Sequence, residues 1–364
     1  MSAAVTPVRF GFLGAGWIAQ RALAPAVHAA DGAVLQAVAA RDVDRAARLE
    51  PAGRSYGDYA ALLADPDVDV VYVNLSNDAH LPWTLAALAA GKHVLCEKPL
   101  GLDVDQVATM LDAAAAADRL LVEAFWYRWH PRTRRLEELL RSGGLGPIRA
   151  VEAEFSFAGR GDPRMAGNFR LDPTRGGGAL YDVGCYALSA VHLALGADVV
   201  VGEISGEVSS LGVDLAAEVR LHRAGPADGG PVGGPAGERV AVARCGVWDV
   251  DRQQLSVTGE AARLDFTTGE AFSNRHEPSA LTITTPDRSV RVEEFAPVDP
   301  YRLMVEAVSA RVRGGTPFLV PPEHSQQVAT SLQAARELLP GTVWHARARQ
   351  AGRGRDGVVR GRSR

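Results

Sequence analysis

The chain has 364 residues, 47% hydrophobic and 23% charged, with a formal net charge of −4; this is the make-up of a globular protein long enough for two domains. That charge leaves no electrostatic footprint for nucleic acid, and three well-separated cysteines (Cys96, Cys185, Cys245) give neither a disulfide framework nor a thiolate metal site. No leader-like N-terminus and no run of about 20 apolar residues is present, so a cytoplasmic protein acting on a small molecule, away from membranes, is expected.

From residue 8 to 123, short β-rich runs alternate with helical patterns: VRFGFLG and IAQRALAPAVHAA, VLQAVAA and DVDRAARLE, DVVYVNL and HLPWTLAALAA, HVLCE and DVDQVATMLDAAAA, then LLVEAF. The strand candidates are nearly continuous apolar runs, as strands covered by helices on both faces must be, which predicts βαβ units and a parallel sheet. A helix is predicted over 132–141. GGLGP then breaks the pattern, and IRAVEAEFSF alternates with period two. VVVGEISGEVSS, LAAEVRLHR, RVAVARCGVW, QLSVTGE, ARLDFTT, LTITTP and SVRVEEF follow as strands, predicting a second, largely antiparallel open sheet. The insert RAGPADGGPVGGPAGER between two of them is expected to be a mobile hairpin loop, since Gly and Pro cannot bury enough surface to offset their ordering. Helices return at YRLMVEAVSARVR and EHSQQVATSLQAARELL. The expected units are residues 1–125, 126–345 and a basic disordered tail, 346–364, with seven arginines and one aspartate.

GFLGAGWIA places Gly14, Gly16 and Ala19 in a G-x-G-x-x-A pattern where the first strand turns into the first helix. Gly14 permits the tight turn, Gly16 lets backbone approach a pyrophosphate and Ala19 lets helix and strand pack closely; Trp17 and Ile18 join the cofactor contacts at the helix start. An acidic residue ending the second strand would grip the ribose hydroxyls of NAD, but here Ala39 and Ala40 lead to Arg41. Arg41, with Arg45 one helical turn onward, suits a 2′-phosphate, so NADP is expected; Asp42 keeps NAD possible.

With GFLGAGWIA, LSNDAH, CEKP and GGGALYDVGCY in order, the chain resembles the Gfo/Idh/MocA family of NAD(P)-dependent oxidoreductases across roughly residues 8–340. EAFWYRWHP most resembles the D-xylose dehydrogenase and dihydrodiol dehydrogenase subgroup. The implied fold is α/β: an N-terminal Rossmann domain with a parallel sheet, plus a C-terminal α+β domain with an open, mostly antiparallel sheet. The implied reaction is hydride transfer between nicotinamide and a hydroxyl or carbonyl carbon of a sugar or polyol, in a homodimer or homotetramer. A sugar-nucleotide 3-ketoreductase and a catalytically silent NADP-binding sugar sensor are the alternatives.

The resemblance also implies site residues. Lys98 of the E-K-P turn leaves the C-terminal end of a parallel strand, where ligands of such sheets bind; its ammonium can bond a reacting oxygen, with Glu97 and Pro99 beside it. Asp182 and Tyr186, four residues apart behind the glycines of GGGAL, share a helix face: Tyr186 is expected to exchange the hydroxyl proton, Lys98 to lower its proton affinity, and Asp182 to orient substrate or lysine. The lysine and tyrosine roles are interchangeable at this level. The glycines suggest close backbone approach to ligand. Leu75, Ser76, Asn77 and His80 of LSNDAH, Phe169 and Arg170 of NFR, and Trp126 and Arg128 of FWYRWH are expected to line the cofactor cleft, although His80 also suits a cap or a packed position. With Ser189 and Ala190 one turn beyond Tyr186, a His–Asp relay is not expected, nor is a metal site.

Overall fold

The structure is a computed structural model and describes residues 6–165, 167–197, 199–223, 239–248 and 250–341. The Gly/Pro-rich insert and the basic tail lie outside the described residues.

Strands β1 (Val8–Leu13), β2 (Ala33–Ala39), β3 (Arg54–Tyr56), β4 (Val70–Val73), β5 (His93–Cys96) and β6 (Leu121–Glu123) form one all-parallel sheet in the order β3-β2-β1-β4-β5-β6. Helices α1 (Ala24–Ala29), α2 (Val43–Ala47), α3 (Tyr59–Leu63), α4 (His80–Ala89) and α5 (Val104–Ala116) connect them. Alternate residues of a strand feed opposite faces: in β4, Val70 and Tyr72 join one core while Val71 and Val73 join the other. That double burial is why the strands are continuous apolar runs. Strand order reverses between β1 and β4, so the connections after them diverge and open a crevice at the carboxyl ends of the strands.

The first helix departs from the single helix expected over IAQRALAPAVHAA. A π-helical turn, Ala19–Leu23, precedes α1, with Ala24 N–H bonded to Ala19 O. Pro25 is the cause: it has no N–H to offer Arg21 O, and that carbonyl instead accepts from Arg275 Nη1 at 3.2 Å.

After α6 (Pro131–Arg141) the second sheet contains β7 (Ile148–Ser156), β8 (Val199–Val208), β9 (Asp214–Arg223), β10 (Arg239–Gly246), β11 (Arg252–Gly259), β12 (Arg263–Thr268), β13 (Ser279–Thr284) and β14 (Val290–Phe295). Its order is β14-β13-β12-β11-β7-β10-β9-β8, antiparallel throughout except for β7 beside β10. Helix α7 (Cys185–Leu195) belongs to the shared core against this sheet, followed in the chain by α8 (Pro300–Val312) and α9 (Pro322–Leu338). The stretch Pro173–Leu195 is long and apolar enough by composition to cross a membrane, yet 89% of it is buried inside the protein.

Candidate active site

Backbone geometry makes the glycine loop a cradle. Gly14 has φ +98°, and a side chain there would lie 2.3 Å from Asn74 O, the residue that follows β4. A Cβ at Gly16 would stand 3.2 Å from Asn74 Nδ2, a buried amide nitrogen with no hydrogen-bond partner. Bare backbone, an orphaned donor and a helix start at the switch point suit the diphosphate of a dinucleotide. Leu75 borders the same loop, Ala19 is fully buried under it, Ile18 is half-buried, and Trp17 is 59% exposed.

At the end of β2, Arg41 is exposed, whereas the Asp42 carboxylate accepts from Asp44 N and Arg45 N and so caps α2. Arg45, expected at the 2′-phosphate, reaches back to donate from Nη2 to Ala15 O at 2.7 Å. It clips the glycine loop, which leaves Arg41 as the freer cation.

The charge pair after β5 separates into two roles. Glu97 turns inward: it is 7% exposed, accepts from Tyr72 OH at 2.5 Å, and takes Lys98 N on its other oxygen. Both oxygens thus bond the protein's own groups. The Lys98–Pro99 peptide is cis. Leu100 N donates to Glu123 Oε1 at 2.8 Å, and His80 Nδ1 donates to Pro99 O at 2.8 Å, with its Nε2 3.4 Å from Leu75 O. His80 is fully buried, and burial lowers its pKa to about 4, so the ring is neutral. It is a tie between the LSNDAH segment and the E-K-P turn. Ser76 Oγ accepts from Arg175, and Asn77 Nδ2 donates to Gly176 O at 2.8 Å. Both residues thus fasten the first sheet to the segment that leads into α7.

Lys98, leaving β5 of the first sheet, meets Tyr186 of α7 and also Asp182, which sits in a π-helical turn, Leu180–Gly184, just before α7. Lys98 Nζ donates to Asp182 O at 2.7 Å and lies 3.4 Å from its Oδ1; Arg170 Nε donates to Oδ2 at 2.6 Å. Burial works against each charge, but each is outweighed by its neighbours. Burial lowers the Lys98 pKa, Asp182 together with Cys185 and Glu97 more than restores it, and the result is a raised value and a firm ammonium. Burial raises the Asp182 pKa, Arg170 and Lys98 overcome that, and it falls to about 2.

Tyr186 behaves differently from the sequence expectation. Burial, reinforced by Tyr301 and Glu97, holds its pKa well above the ordinary value. The Lys98 ammonium stands over the tyrosine ring, 5.1 Å from its centre. The phenol therefore keeps its proton. Its oxygen accepts from Trp126 Nε1 at 2.8 Å.

Several expected cofactor contacts are engaged elsewhere. Arg128 is 4% exposed, donating to Glu137 at 2.9 Å with His324 Nε2 3.1 Å away. Trp126 is 5% exposed and stacked on Tyr301 at 4.5 Å. Arg170 is tied to Asp182, while Phe169 lies between the guanidinium groups of Arg170 and Arg175 at 5.1 and 5.8 Å. Ser189 bonds Tyr127 and His324, each at 2.7 Å, so polar groups occupy the position beyond Tyr186 without a carboxylate. Among the described residues, no group of three or more His, Cys, Asp or Glu is arranged to hold a metal ion.

Sequence reasoning missed the support beneath α7. Asp214 of β9, fully buried, accepts from Leu180 N at 2.6 Å and lies 3.5 Å from Arg336 of α9, whose Nη1 also donates to Gly177 O. The glycines explain the fit. A Cβ on Gly178 (φ +121°) would lie 2.1 Å from Asp214 Oδ1, and one on Gly177 would lie 2.6 Å from the carbonyls of Phe169 and Arg170. Their close approach is to protein, which corrects the expectation of ligand. Asp214 and Arg336 carry no sequence signal, since only the folded chain brings them together.

Residues 8–125 match the family model described as "Oxidoreductase family, NAD-binding Rossmann fold", and residues 133–265 match the GFO/IDH/MocA C-terminal domain. A D-xylose 1-dehydrogenase (NADP(+)) from Haloferax volcanii is 36% identical over 337 residues, covering 90% of this chain and 96% of that protein. The trans-1,2-dihydrobenzene-1,2-diol dehydrogenase of Mus musculus is 35% identical over 229 residues, 61% of this chain and 67% of its own. Among solved structures, a 3-ketoreductase from Actinomadura kijaniata in complex with NADP and TDP-benzene superposes with a TM-score of 0.78 at 29% identity, covering 92% of this chain and 98% of that one.

Proposed function

From the premise that the chain belongs to the Gfo/Idh/MocA family of oxidoreductases, we propose that it is an NADP-dependent oxidoreductase acting on a hydroxyl or carbonyl carbon of a sugar or polyol. The observation that carries this reading is the meeting of Lys98 with both Asp182 and the Tyr186 ring, in a fold whose glycine cradle is followed by Arg41. NADP, when bound, supplies the hydride donor or acceptor.

The chain's own residues handle the oxygen and its proton. Asp182 fixes two cations and keeps Lys98 protonated, so the ammonium can bond the substrate oxygen and stabilise negative charge developing there. Tyr186 holds its proton and presents a phenol to the same oxygen, giving the proton in reduction and taking it back in oxidation. Residues 1–125 form the cofactor half, and residues 126–345 close the cleft. Exposed Val290 and Val292 on edge strand β14 suit a homodimer or homotetramer, which light scattering tests directly.

The functional test is absorbance of reduced nicotinamide on mixing the protein with NADP or NADPH and a panel of aldoses, polyols and their keto forms. Turnover preferring NADP is expected. NADPH binding without turnover of any of them would replace the enzyme reading by the sugar sensor. The likeness in fold to the 3-ketoreductase favours a second reading, a sugar-nucleotide substrate; a dTDP-keto-sugar turned over far better than free sugars would select it.

A further inference from the structure

The Tyr186 hydroxyl is held by a group that the catalytic reading leaves unused. Trp126, in the 3-10 turn Trp126–Trp129 after β6, points its indole nitrogen at the phenol oxygen at 2.8 Å, and both side chains are buried. An indole N–H only donates, so the phenol must accept, and its own hydrogen is turned away from the indole. Here we propose that Trp126 is a positioning residue: resting on the Proposed function, it aims the Tyr186 proton at the reacting oxygen and favours the phenolate form whenever that proton leaves.

The indole is itself clamped. Tyr301, at the start of α8, stacks on it with ring centres 4.5 Å apart and planes 19° from parallel. Behind Tyr301 the Arg275 guanidinium lies 4.9 Å from the ring centre, bonds Asp299 at 2.9 Å and donates to Arg21 O, the carbonyl freed by Pro25. Trp126 therefore cannot swing away from the phenol without breaking a stack that is anchored to the helix beyond the glycine loop. A tyrosine ring packed edgewise by Phe125 and Phe155 and at a tilt by Phe272 has its plane fixed but not its hydroxyl torsion. The Trp126 hydrogen bond supplies that last constraint.

A donor to the phenol oxygen also opposes the effect of burial, which disfavours the charged form. Among the described residues, the other charged and titratable groups near Tyr186 are Lys98 and Glu97 from the turn after β5, Tyr72 of β4, Arg170, Tyr127, Tyr301 of α8 and Cys185 of α7. Replacing Trp126 by Phe leaves all of them in place and keeps an aromatic ring to stack on Tyr301, while removing the N–H together with one ring of the indole.

Two measurements decide the inference. In protein labelled with 15N-tryptophan, the Trp126 indole proton should exchange slowly with solvent, and in Tyr186→Phe it should shift upfield and exchange faster. No change in that resonance would show that the bond is absent in solution and overturn the inference, whatever the substrate. In turnover, Trp126→Phe should lower kcat for alcohol oxidation about tenfold, and its pH dependence should move up by about one unit, with KM for sugar and the NADPH Kd kept. A wild-type kcat and pH profile would overturn the inference, and so would a raised KM at unchanged kcat, which would make the indole a substrate contact. If the wild-type protein turned over no substrate, the functional reading would fall, and the resonance would still decide whether Trp126 holds the hydroxyl.

Discussion

Replacing Asp182 by Asn tests the electrostatics on which the site depends. The carboxylate is 9% exposed, and its pKa falls from an ordinary 3.8 to about 2 in the folded protein. The difference, roughly 1.8 units at 1.36 kcal/mol each, is about 2 to 3 kcal/mol of folding stability. The sign follows from the depressed folded value: this stability is fully present above the unfolded pKa and is lost as pH falls through about 2. At neutral pH, Asp182→Asn should therefore unfold at lower urea concentration by an amount equivalent to about 2 to 3 kcal/mol, and equally so at pH 5 and pH 7. The amide also leaves Lys98 and Arg170 buried without their shared counter-charge. Burial then acts on Lys98 unopposed by Asp182, its proton affinity drops, and activity should fail at a lower alkaline pH than in the wild-type protein. Urea titration followed by tryptophan fluorescence, paired with a pH–rate profile, reads both effects. An unchanged midpoint with an unchanged alkaline limb would refute the reasoning, because it would mean that the cations do not need this carboxylate.

Gly178→Ala should cost about 2 kcal/mol or more and lower the melting temperature, since its Cβ would stand 2.1 Å from Asp214 Oδ1 at φ +121°. Gly161→Ala, at φ +79° with nothing within 4 Å, bears only the backbone strain and serves as the control. Arg41→Ala should weaken NADPH binding about tenfold or more and spare NADH, whereas Arg45→Ala should weaken both because it clips the shared loop through Ala15 O; fluorescence titration separates the two. His80, whose folded pKa of about 4 lies below an ordinary 6.5, lends stability that is whole above pH 6.5 and is lost as pH falls toward 4. In His80→Asn, whose amide can still donate to Pro99 O, stability measured by urea titration should depend less steeply on pH across that interval.

The first sheet was legible because local sequence carries it. Strands β1, β4 and β5 are buried on both faces, so each is a bare apolar run, and each is followed by a helical pattern that enforces a parallel neighbour. The second sheet was legible as strands but not as an order: β7 lies between β10 and β11, and no local pattern announces a pairing so far along the chain. The π-turn had a signal that went unused, Pro25 inside a helical pattern. In the site, Lys98 and Asp182 sit in short motifs whose spacing is visible, but what each side chain touches is a tertiary matter. Glu97, His80, Ser76 and Asn77 each make a hydrogen bond within the protein that no motif announces. Motif position finds the neighbourhood of a cofactor better than it separates the residues that face it from those that brace it.

Sequence alone left the lysine and tyrosine roles interchangeable, and the contacts around them favour one assignment. For Lys98 to release a proton, Asp182 would lose one of the two cations that hold its carboxylate ionised in a buried place, so the lysine is poorly suited to cycle its charge. Tyr186 has no carboxylate to abandon. Its proton leaves against burial, with an indole donor already on the oxygen and an ammonium over the ring to receive the charge. Both contacts are already made with the neutral phenol and strengthen as negative charge develops on it, and that difference is what speeds a proton transfer.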